Sequence, residues 1–582
     1  MKRSRLHRCS TAWASLILAS AVAGCSSKYW RKSADKEASR LLQEKQAAVP
    51  NMGTNAPVEA RDPLQLDRLP AAPEPPEFLG NEGSAESESR VLDLAGALDL
   101  AVRQSREFQN RRELLFLEAL SLSLSRWQLT PIFGLTGNGA IQSSAPVQVQ
   151  GTDPVTGQQV TALRNGNRLT TGGARFGFNW MLATGARLST DFTTDFLRVL
   201  TGSGTPNNGS RLGASLSQPL LRGAGFKANL ESLRQSERDL LYAMREFAQY
   251  RQGFTVTITG EYFQTLQARD TARNAFLDLA RSRQNVARER AFADEGQRPM
   301  ASLDQFRQAE LNSETRWLEA VRGYREALDR FKITLGVPLD TRLVLDDGEL
   351  ARLEITDPGV GPDQAVPVAA ATRLDLQTSR ERVEDAVRKV PIAKNNLLPQ
   401  IDAMVRGDIQ SSSTTGFKWP DPKLNSWSAG LNVDLGLDRK AQRNTFRGTL
   451  IAVERARRQF ALELDTVRLA VASDWRALEQ ARRNFENAEV GVKLAARRVE
   501  EQELRMQLGR GQTRDLLDAQ ADLNSARNGR TAALVNHTLA RLRYWRDMGL
   551  LFVREDGSWY EAPVPTNPKS PGVPPVQNAS QP

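Results

Sequence analysis

A long helical segment that occurs twice in the chain constrains its fold more than any other feature. The copies extend from about Lys227 to Asp294 and from about Arg439 to Leu508, and neither contains a proline. In the second copy, apolar residues recur at steps of three and four, at Leu464, Val467, Val471, Trp475 and Leu478. This spacing predicts an amphipathic helix with a coiled-coil seam, and about seventy residues would extend about 100 Å. Helices this long need neighbours to bury their apolar faces, so we expect an oligomer.

The long helices belong to a duplicated order of elements. Glu107-Phe108-Gln109 corresponds to Asp375-Leu376-Gln377, and Pro131 corresponds at the same spacing to Pro399. Each half therefore reads as helix, strands, long helix, turn and helix. A repeat of this length indicates a duplicated half rather than a solenoid, and the first half has the longer strand region.

Breaks in the helical and strand periodicity define the domains. We predict a signal peptide at 1–24, a lipidated tether at 25–90, a first repeat at 91–336, an irregular equatorial linker at 337–366, a second repeat at 367–553 and a disordered tail at 554–582. In the first repeat the predicted helices are 91–130, 223–295 and 301–335, with strands in 131–222. In the second repeat they are 367–396, 438–508 and 513–549, with strands in 399–437. Glycine and proline clusters mark the helix ends.

Apolar and polar residues alternate in the strand regions. The stretch from Leu397 to Leu435 contains two such runs, one with Ile401, Ala403, Val405 and Ile409 on a single face. Period-two alternation predicts strands with one apolar and one polar face. Each run has about ten residues, enough for a tilted strand to cross a bilayer. A hairpin of a soluble sheet is the alternative interpretation of this stretch alone.

The N-terminus has the pattern of a bacterial lipoprotein. A basic start and an apolar core from about Trp13 to Val22 predict a secretory signal. It ends in Val22-Ala23-Gly24-Cys25, which resembles a lipobox. The resemblance implies that Cys25 becomes the acylated (palmitate-type) first residue, and Ser26 after it implies sorting to the outer membrane. The alternative is an ordinary signal peptide with an incidental cysteine.

Composition argues against several classes of function. The net charge is +10, but four of the basic residues lie in the leader and the rest are mixed with acids, so no nucleic-acid surface is indicated. Outside the leader only Cys25 and His537 remain of the two cysteines and two histidines, which excludes an intrachain disulfide and a Cys/His zinc site. We expect no enzyme activity and no cofactor.

Three motifs resemble the TolC-like outer membrane efflux family, across about residues 91–550. They are the helix end Asn396-Leu397-Leu398-Pro399, the strand exit Leu216-Ser217-Gln218-Pro219-Leu220 and the turn from Gly509 through Thr513-Arg514-Asp515-Leu516-Leu517-Asp518-Ala519. The resemblance implies a mostly α-helical homotrimer with a transmembrane β-barrel that continues into an α-helical barrel. It also implies a passive exit duct of a tripartite efflux or type I secretion system. Such a duct docks onto a periplasmic adaptor and an inner-membrane RND, MFS or ABC transporter.

The resemblance also indicates where the periplasmic entrance lies. Family aspartates that ring this entrance match Asp515 and Asp518, which are spaced to share one helix face. Three copies would form a ring that favours cations and binds a blocking divalent ion. The alternative is that both are solvated acids favoured by the helix dipole.

This sequence departs from the family at the basic residue that holds the entrance shut. Gly511 occupies that position. We therefore expect Arg510 or Arg514 to take over the closing contact, with Asp304 or Gln305 contributing from the first repeat.

The strand region of the first repeat is larger than the family pattern of two strands per repeat. The run from Arg175 to Phe196 has two extra alternating strands around a tight turn at Ala183-Thr184-Gly185. We predict six strands per chain and a barrel of about eighteen, with that turn periplasmic and the loops near 142–169 and 200–208 outside. Candidates for an interfacial aromatic girdle are Trp180, Phe196, Phe417, Trp419 and Trp427; ordinary sheet packing is the alternative.

Two functions of different classes fit this sequence. The first is a trimeric outer membrane lipoprotein channel without catalysis, in contact with outer membrane lipid. The second is a lipid-anchored periplasmic coiled-coil scaffold without a pore, whose strands form a soluble cap. Strand alternation with aromatic residues at the strand ends favours the first.

Overall fold

The computed structural model describes residues 27–53, 69–72, 76–143, 147–152, 159–164, 168–201, 207–412 and 418–565. In 142–171 and 196–208 only the backbone is described. The expected acylation site Cys25 and the last part of the predicted tail, 566–582, lie outside these residues.

The helices follow the duplicated order. They are α1 (Ser27–Gln46), α2 (Leu94–Gln104), α3 (Arg106–Trp127), α4 (Phe226–Asn229), α5 (Glu231–Asp294), α6 (Met300–Leu335), α7 (Gly348–Ala351), α8 (Pro362–Thr372), α9 (Leu374–Asn395), α10 (Lys440–Gln507) and α11 (Thr513–Asp547), with a 3-10 helix at Glu77–Glu86. Helices α5 and α10 contain 64 and 68 residues. Among the described residues, no helix has the length and apolar content needed to cross a membrane.

The strands are β1 (Arg90–Leu92), β2 (Ile132–Ser143), β3 (Val147–Thr152), β4 (Gln159–Arg164), β5 (Arg168–Met181), β6 (Arg187–Thr201), β7 (Asn207–Pro219), β8 (Leu343–Leu345), β9 (Gln400–Gln410), β10 (Asn425–Asp434), β11 (Leu551–Val553) and β12 (Trp559–Glu561). The chain divides into two compact units. The helical unit comprises Met1–Ala119, Leu240–Glu381 and Arg458–Pro582, and the sheet unit comprises Leu120–Asp239 and Arg382–Arg457.

Six of the described strands in the sheet unit form one antiparallel sheet, in the order β10-β9-β7-β6-β5-β2. The hairpin predicted between Leu397 and Leu435 is confirmed as β9 and β10. The predicted extra hairpin is also confirmed: β5 and β6 lie between β2 and β7, joined by a turn at Gly185 with φ +92°. Among the described residues, this sheet therefore has the six strands that were predicted per chain. The predicted loop near 142–169 contains a separate hairpin, β3–β4.

The two faces of the six-stranded sheet differ in polarity. One face carries exposed large apolar side chains from five strands: Phe133, Leu135, Ile141, Phe176, Leu212, Leu216, Val405, Trp427, Leu431 and Val433. The pairing register puts polar residues such as Asn179, Ser189, Ser215 and Arg406 together on the opposite face. Exposing an apolar surface of this size to water is unfavourable in free energy. This face therefore needs a partner or a lipid environment.

The predicted coiled-coil seam is confirmed in the core of the helical unit. Val467, Val471 and Leu478 of α10 are at most 5% exposed, and Leu464 and Trp475 pack against them. Their neighbours in this cluster include Val368 of α8 and Tyr544 of α11. Burial of each such side chain stabilises the fold by about 1.5–3 kcal/mol.

Both predicted first helices of the repeats are interrupted. The predicted helix 91–130 consists of β1, α2 and α3, with a break at Ser105, and the predicted helix 367–396 consists of α8 and α9, with a break at Arg373. Both residues have extended backbone, with ψ of 124° and 126°. Neither break contains glycine or proline, so no local signal predicted it.

A distant left-handed glycine lies against each of these breaks. Gly336, at the end of α6, has φ +81°, and an added Cβ would lie 2.1 Å from the Gln104 carbonyl oxygen. Gly549, after α11, has φ +73°, and an added Cβ would lie 2.9 Å from Thr372 Oγ1 and 3.3 Å from the Arg373 nitrogen. The duplication therefore includes these two junctions, where a helix end contacts a helix break.

The predicted linker and tail are more ordered than expected. The linker 337–366 contains β8, which pairs in parallel with β1, and the short helix α7. The tail does not begin as disordered chain at 554, because β12 pairs with β11. Pairing with β1 and with β11 supplies the backbone hydrogen bonds that these short segments could not form alone.

The predicted tether is also wrong in part, because two of its segments pack on the helical unit. Arg251, which is 6% exposed, donates hydrogen bonds to the carbonyl oxygens of Asn51 and Met52 at 2.9 and 2.8 Å. It also donates to those of Val553 and Arg554 at 2.9 and 2.7 Å. One buried guanidinium thus joins the N-terminal segment to the C-terminal hairpin. The second docked segment is the 3-10 helix, where Phe78 and Leu79 pack on α5 and α6.

A carboxyl pair lies near the second junction. Burial and a hydrogen bond with Asp547 raise the pKa of Asp474 to about 7. Burial opposes ionisation of Asp547, but Arg546, at 2.7 Å, and Asp474 outweigh it and lower the pKa of Asp547. The pair therefore holds one proton at pH values where both carboxyls of an unfolded chain, with pKa near about 3.9, have lost theirs.

This pair predicts that stability falls as pH rises. The folded state binds the Asp474 proton above the pKa of the unfolded chain, so the stabilisation is full below about pH 4 and is lost through about pH 7. We expect the melting temperature to fall between pH 5.5 and 8 by about 2–4 °C more in the wild type than in Asp474→Asn. The matched control is Asp465→Asn, an exposed acid on the same helix. Equal pH slopes for all three proteins would contradict the assignment.

Candidate functional site

Two helix-turn-helix tips of the helical unit form the candidate site. The α5–α6 turn contains Gly296 with φ +72°, and the α10–α11 turn contains Gly509 with φ +72°. In both, the residue after the glycine donates its N–H to a carbonyl five residues earlier, Gln297 to Phe292 and Arg510 to Arg505. A left-handed glycine lets each helix end with satisfied carbonyls.

The two turns are bound to each other. Arg298 donates to the Met506 carbonyl oxygen at 2.8 Å and pairs with Glu289, which is buried, at 3.2 Å. The hydroxyls of Ser302 and Thr513 lie 2.8 Å apart. Beneath them Phe306, Met506 and Leu516 form a small buried cluster. The first helical residues of α6 and α11 are therefore held side by side.

Asp515 and Asp518 both lie exposed at the start of α11. Arg514 lies 3.9 Å from Asp518, and these side chains are 86% and 61% exposed. Arg510 is exposed within the turn itself. The structure thus brings four of the predicted entrance residues to one tip.

Asp304 lies on α6 rather than on α11. Its side chain is 71% exposed and lies 4.0 Å from Arg307. Among the described residues no ion pair joins Asp304 to Arg510 or Arg514. The structure therefore places Asp304 near the same pair of tips without a direct contact to the predicted closing arginines.

Sequence reasoning missed the residues that hold the tips together. The sequence indicates Arg298 only as part of a helix break, and it gives no reason to single out Ser302 or Thr513. Both turns have an arginine shortly after their left-handed glycine, Arg298 and Arg510. This repeated arginine is the sequence feature that could have indicated a role for Arg298. Only the fold shows that Arg298 contacts a buried acid while Arg510 is exposed to solvent.

No group of three or more potential metal-binding side chains occurs among the described residues. The two exposed aspartates are thus too few to hold an ion within one chain. A cation at Asp515 and Asp518 would need carboxylates from several chains.

The aromatic candidates fall into different environments. Trp419 and Trp427 are 73% and 77% exposed, and Trp419 packs on Phe192 with ring centres 5.5 Å apart. Trp180 is half-buried and donates its indole N–H to the Leu129 carbonyl oxygen at 3.0 Å. The side chains of Phe196 and Phe417 lie outside the part of the chain described.

Comparison with known proteins shows which family the second repeat resembles. A sequence profile of outer membrane efflux proteins matches residues 365–543. This region is therefore similar to the outer membrane efflux proteins. The matched residues begin within α8 and end within α11, so they contain the hairpin β9–β10 and the α10–α11 tip with Asp515 and Asp518. No curated protein sequence matches the chain at a significant level.

Solved structures show where this fold occurs. The outer membrane protein VceC from Vibrio cholerae aligns with a TM-score of 0.57 at 13% identity, covering 78% of this chain and 96% of its own. The Campylobacter jejuni CmeC channel aligns with 0.56 at 14% identity, covering 78% and 85%. The open-state Neisseria gonorrhoeae MtrE channel aligns with 0.53 at 14% identity, covering 78% and 88%. The shared fold extends well beyond residues 365–543, because 78% of this chain aligns.

Proposed function

We propose that this protein is the outer membrane channel of an efflux or secretion system. The observation that carries the proposal is the six-stranded sheet, with one exposed apolar face, one polar face and, among the described strands, the unpaired edges β2 and β10. An open sheet with an exposed apolar face is unstable in water. Closure with copies of itself in lipid satisfies both the edges and the apolar face.

Three chains would close the barrel. β10 of one chain would pair with β2 of the next, giving about eighteen strands with the apolar face towards lipid. The polar face would then line a water-filled lumen. A trimer of this kind is a passive duct, and a periplasmic adaptor with an inner-membrane RND, MFS or ABC transporter would supply substrate and energy. Acylated Cys25 would add a lipid anchor.

The tips of the helical hairpins are the proposed periplasmic entrance. Three copies of Asp515 and Asp518 would surround one axis and attract cations. Arg510 and Arg514 are the proposed closing residues, because Gly511 has no side chain. Arg514 already lies 3.9 Å from Asp518 of its own helix, so a closing contact from Arg514 to another helix would compete with that pair. Since an exposed ion pair contributes less than about 1 kcal/mol, this closing contact would be weak.

Conductance of the purified full-length trimer in a planar bilayer tests the proposal. We expect heat-modifiable trimers with single-channel steps that Mg²⁺ on the entrance side blocks. In Asp515→Asn/Asp518→Asn the Mg²⁺ block should weaken by about tenfold, while Asp329→Asn, an exposed acid on α6, should behave as wild type. Folded trimers without conductance, even in the double variant, would favour the scaffold function. A block unchanged in the double variant would refute the assigned entrance residues.

A further inference from the structure

The polar face of the sheet carries a belt of charged side chains. The belt consists of Arg175 on β5, Asp191 on β6, Arg211 on β7, and Arg406 and Asp408 on β9. The strand register places these positions in three successive cross-strand rows on one face of four neighbouring strands. The belt therefore crosses the boundary between the two repeats.

The two carboxylates of the belt converge over a glycine. Gly213 pairs with Asp191 on one side and with Asp408 on the other. A Cβ added at Gly213 would lie 3.1 Å from Asp191 Oδ1 and 3.3 Å from Asp408 Oδ1. Because Gly213 has no side chain, both carboxylates have space to pack against the surface of the sheet.

Arginines surround these carboxylates. Arg211 donates to Asp408 Oδ1 through Nε at 3.0 Å and Nη2 at 2.5 Å. Arg406 Nε lies 3.7 Å from the same oxygen, and Arg175 Nη2 lies 3.4 Å from Asp191 Oδ1. Each guanidinium has five N–H donors, so these contacts occupy only part of its hydrogen-bonding capacity.

Charges of opposite sign differ in their exposure to solvent. Asp191 and Asp408 are 26% and 14% exposed, whereas Arg175, Arg211 and Arg406 are 60%, 41% and 60% exposed. The carboxylates therefore lie close to the sheet, and the guanidiniums project from it into solvent. The guanidiniums are thus the more exposed charges of the belt, and the next acid along this face of β6, the exposed Asp195, lies outside it.

We propose that this belt is an anion-binding filter on the inner wall of the barrel, and the inference rests on the proposed function. Three chains would place three arginines each around the lumen. Guanidiniums bind carboxylate and phosphate groups through paired N–H donors, so the belt favours solutes that carry such groups. The inserted hairpin β5–β6 adds Arg175 and Asp191 to the wall, which extends the belt as the barrel widens.

A purely structural ion-pair ladder is the competing explanation. Such a ladder would join neighbouring strands without affecting ion selectivity, and its removal would alter trimer stability only. The exposure of Arg175 and Arg406 argues against this role, since exposed ion pairs contribute little stability. Their effect on permeating ions decides between the two.

Reversal potentials in a KCl gradient test the filter. They are measured on full-length trimers that carry Asp515→Asn/Asp518→Asn, so that carboxylates at the tips do not dominate. In this background we expect Arg175→Gln/Arg406→Gln to lower the chloride-to-potassium permeability ratio by about threefold. Inorganic phosphate should reduce chloride current before the Gln substitutions and not after them. Arg175→Lys/Arg406→Lys keeps the charges and should keep the selectivity.

The matched control is Arg322→Gln/Arg330→Gln, which removes two charges from side chains of α6 that are each 75% exposed. It should leave the reversal potential unchanged. Conducting Gln-variant trimers with the selectivity of their parent would overturn the filter while leaving the channel function intact. Absence of conductance in every protein would overturn the channel function itself. If the Gln variant forms no trimers, the phosphate measurement on the Asp515→Asn/Asp518→Asn parent decides instead. A chloride current that phosphate does not reduce in this parent would overturn the filter.

Discussion

Substitution of Glu86 by alanine is expected to lower the stability of the helical unit by about 3–5 kcal/mol. Glu86 is 3% exposed, and its carboxylate accepts from the Tyr324 hydroxyl at 2.8 Å and lies 3.3 Å from Arg269 Nη2. Arg269 is itself buried. Alanine would leave a buried guanidinium without its nearest buried countercharge and a buried hydroxyl without its acceptor.

Other contacts of Arg269 compensate only in part. Burial lowers the pKa of Arg269, but Tyr324, Glu86 and Asp347 outweigh this effect, so its pKa is raised and the guanidinium stays charged. Asp347 lies 3.2 Å from Arg269 Nε and is 40% exposed, which makes it the more screened partner. A charged Arg269 must therefore either stay buried near Asp347 alone or move out and disrupt the packing of Phe78.

Thermal unfolding and limited trypsin digestion measure the effect of Glu86→Ala. We expect a lower Tm and faster cleavage after the arginines near the N-terminal segment, because the 3-10 helix detaches from α5 and α6. Glu82→Ala is the matched control, since Glu82 lies in the same 3-10 helix, is 64% exposed and is 3.9 Å from Arg325. Similar Tm values for the two variants would show that the buried pair does not hold this segment.

The Gly336→Ala substitution is expected to destabilise the protein by about 3 kcal/mol or more. Gly336 has φ +81°, which disfavours a side chain, and the new Cβ would lie 2.1 Å from the Gln104 carbonyl oxygen and 2.6 Å from its carbonyl carbon. Both are backbone atoms, so no change of rotamer can relieve the overlap. The end of α2 or the end of α6 has to move.

Two other glycines provide a graded comparison for the Tm measurement. Gly323→Ala lies in the same helix, has no atom within 4 Å of the new Cβ and should stabilise α6 by up to about 1 kcal/mol. Gly549→Ala, the repeat counterpart, first meets the movable Thr372 Oγ1 at 2.9 Å, so its loss should be intermediate. A Tm for Gly336→Ala equal to that of Gly323→Ala would show that the first junction is not tightly packed.

Periodicity explains how much of this fold was predictable. The seam at Val467, Val471 and Leu478 and the alternation along β9 and β10 are local patterns, and such patterns act before any tertiary contact forms. The extra hairpin β5–β6 was predictable for the same reason, since its turn at Gly185 and its alternation are both local. For the entrance, the exposure of Asp515 and Asp518 agrees with the prediction, and their role stays a prediction.

Features that depend on distant contacts were not predictable. The breaks at Ser105 and Arg373 lack glycine and proline, and each lies against a glycine more than a hundred residues away in the chain. The polar composition of the N-terminal segment indicated a tether, yet the buried Arg251 and Arg269 bind it through carbonyls and a single carboxylate. The composition of the N-terminal segment does not indicate which distant residues bind it.

The sequence by itself determined the two long helices, the alternating strands of the large sheet, and the duplication of one half of the chain. These properties depend on spacings of two, three and four residues. Side chains at a spacing of two share one face of a strand, and side chains at spacings of three and four share one face of a helix. Only the tertiary structure decided the strand register that brings Asp191 and Asp408 together over Gly213, the junctions at Gly336 and Gly549, and the docking of the N-terminal segment. Those features depend on which distant surfaces meet, and packing and pairing across the whole chain select among them.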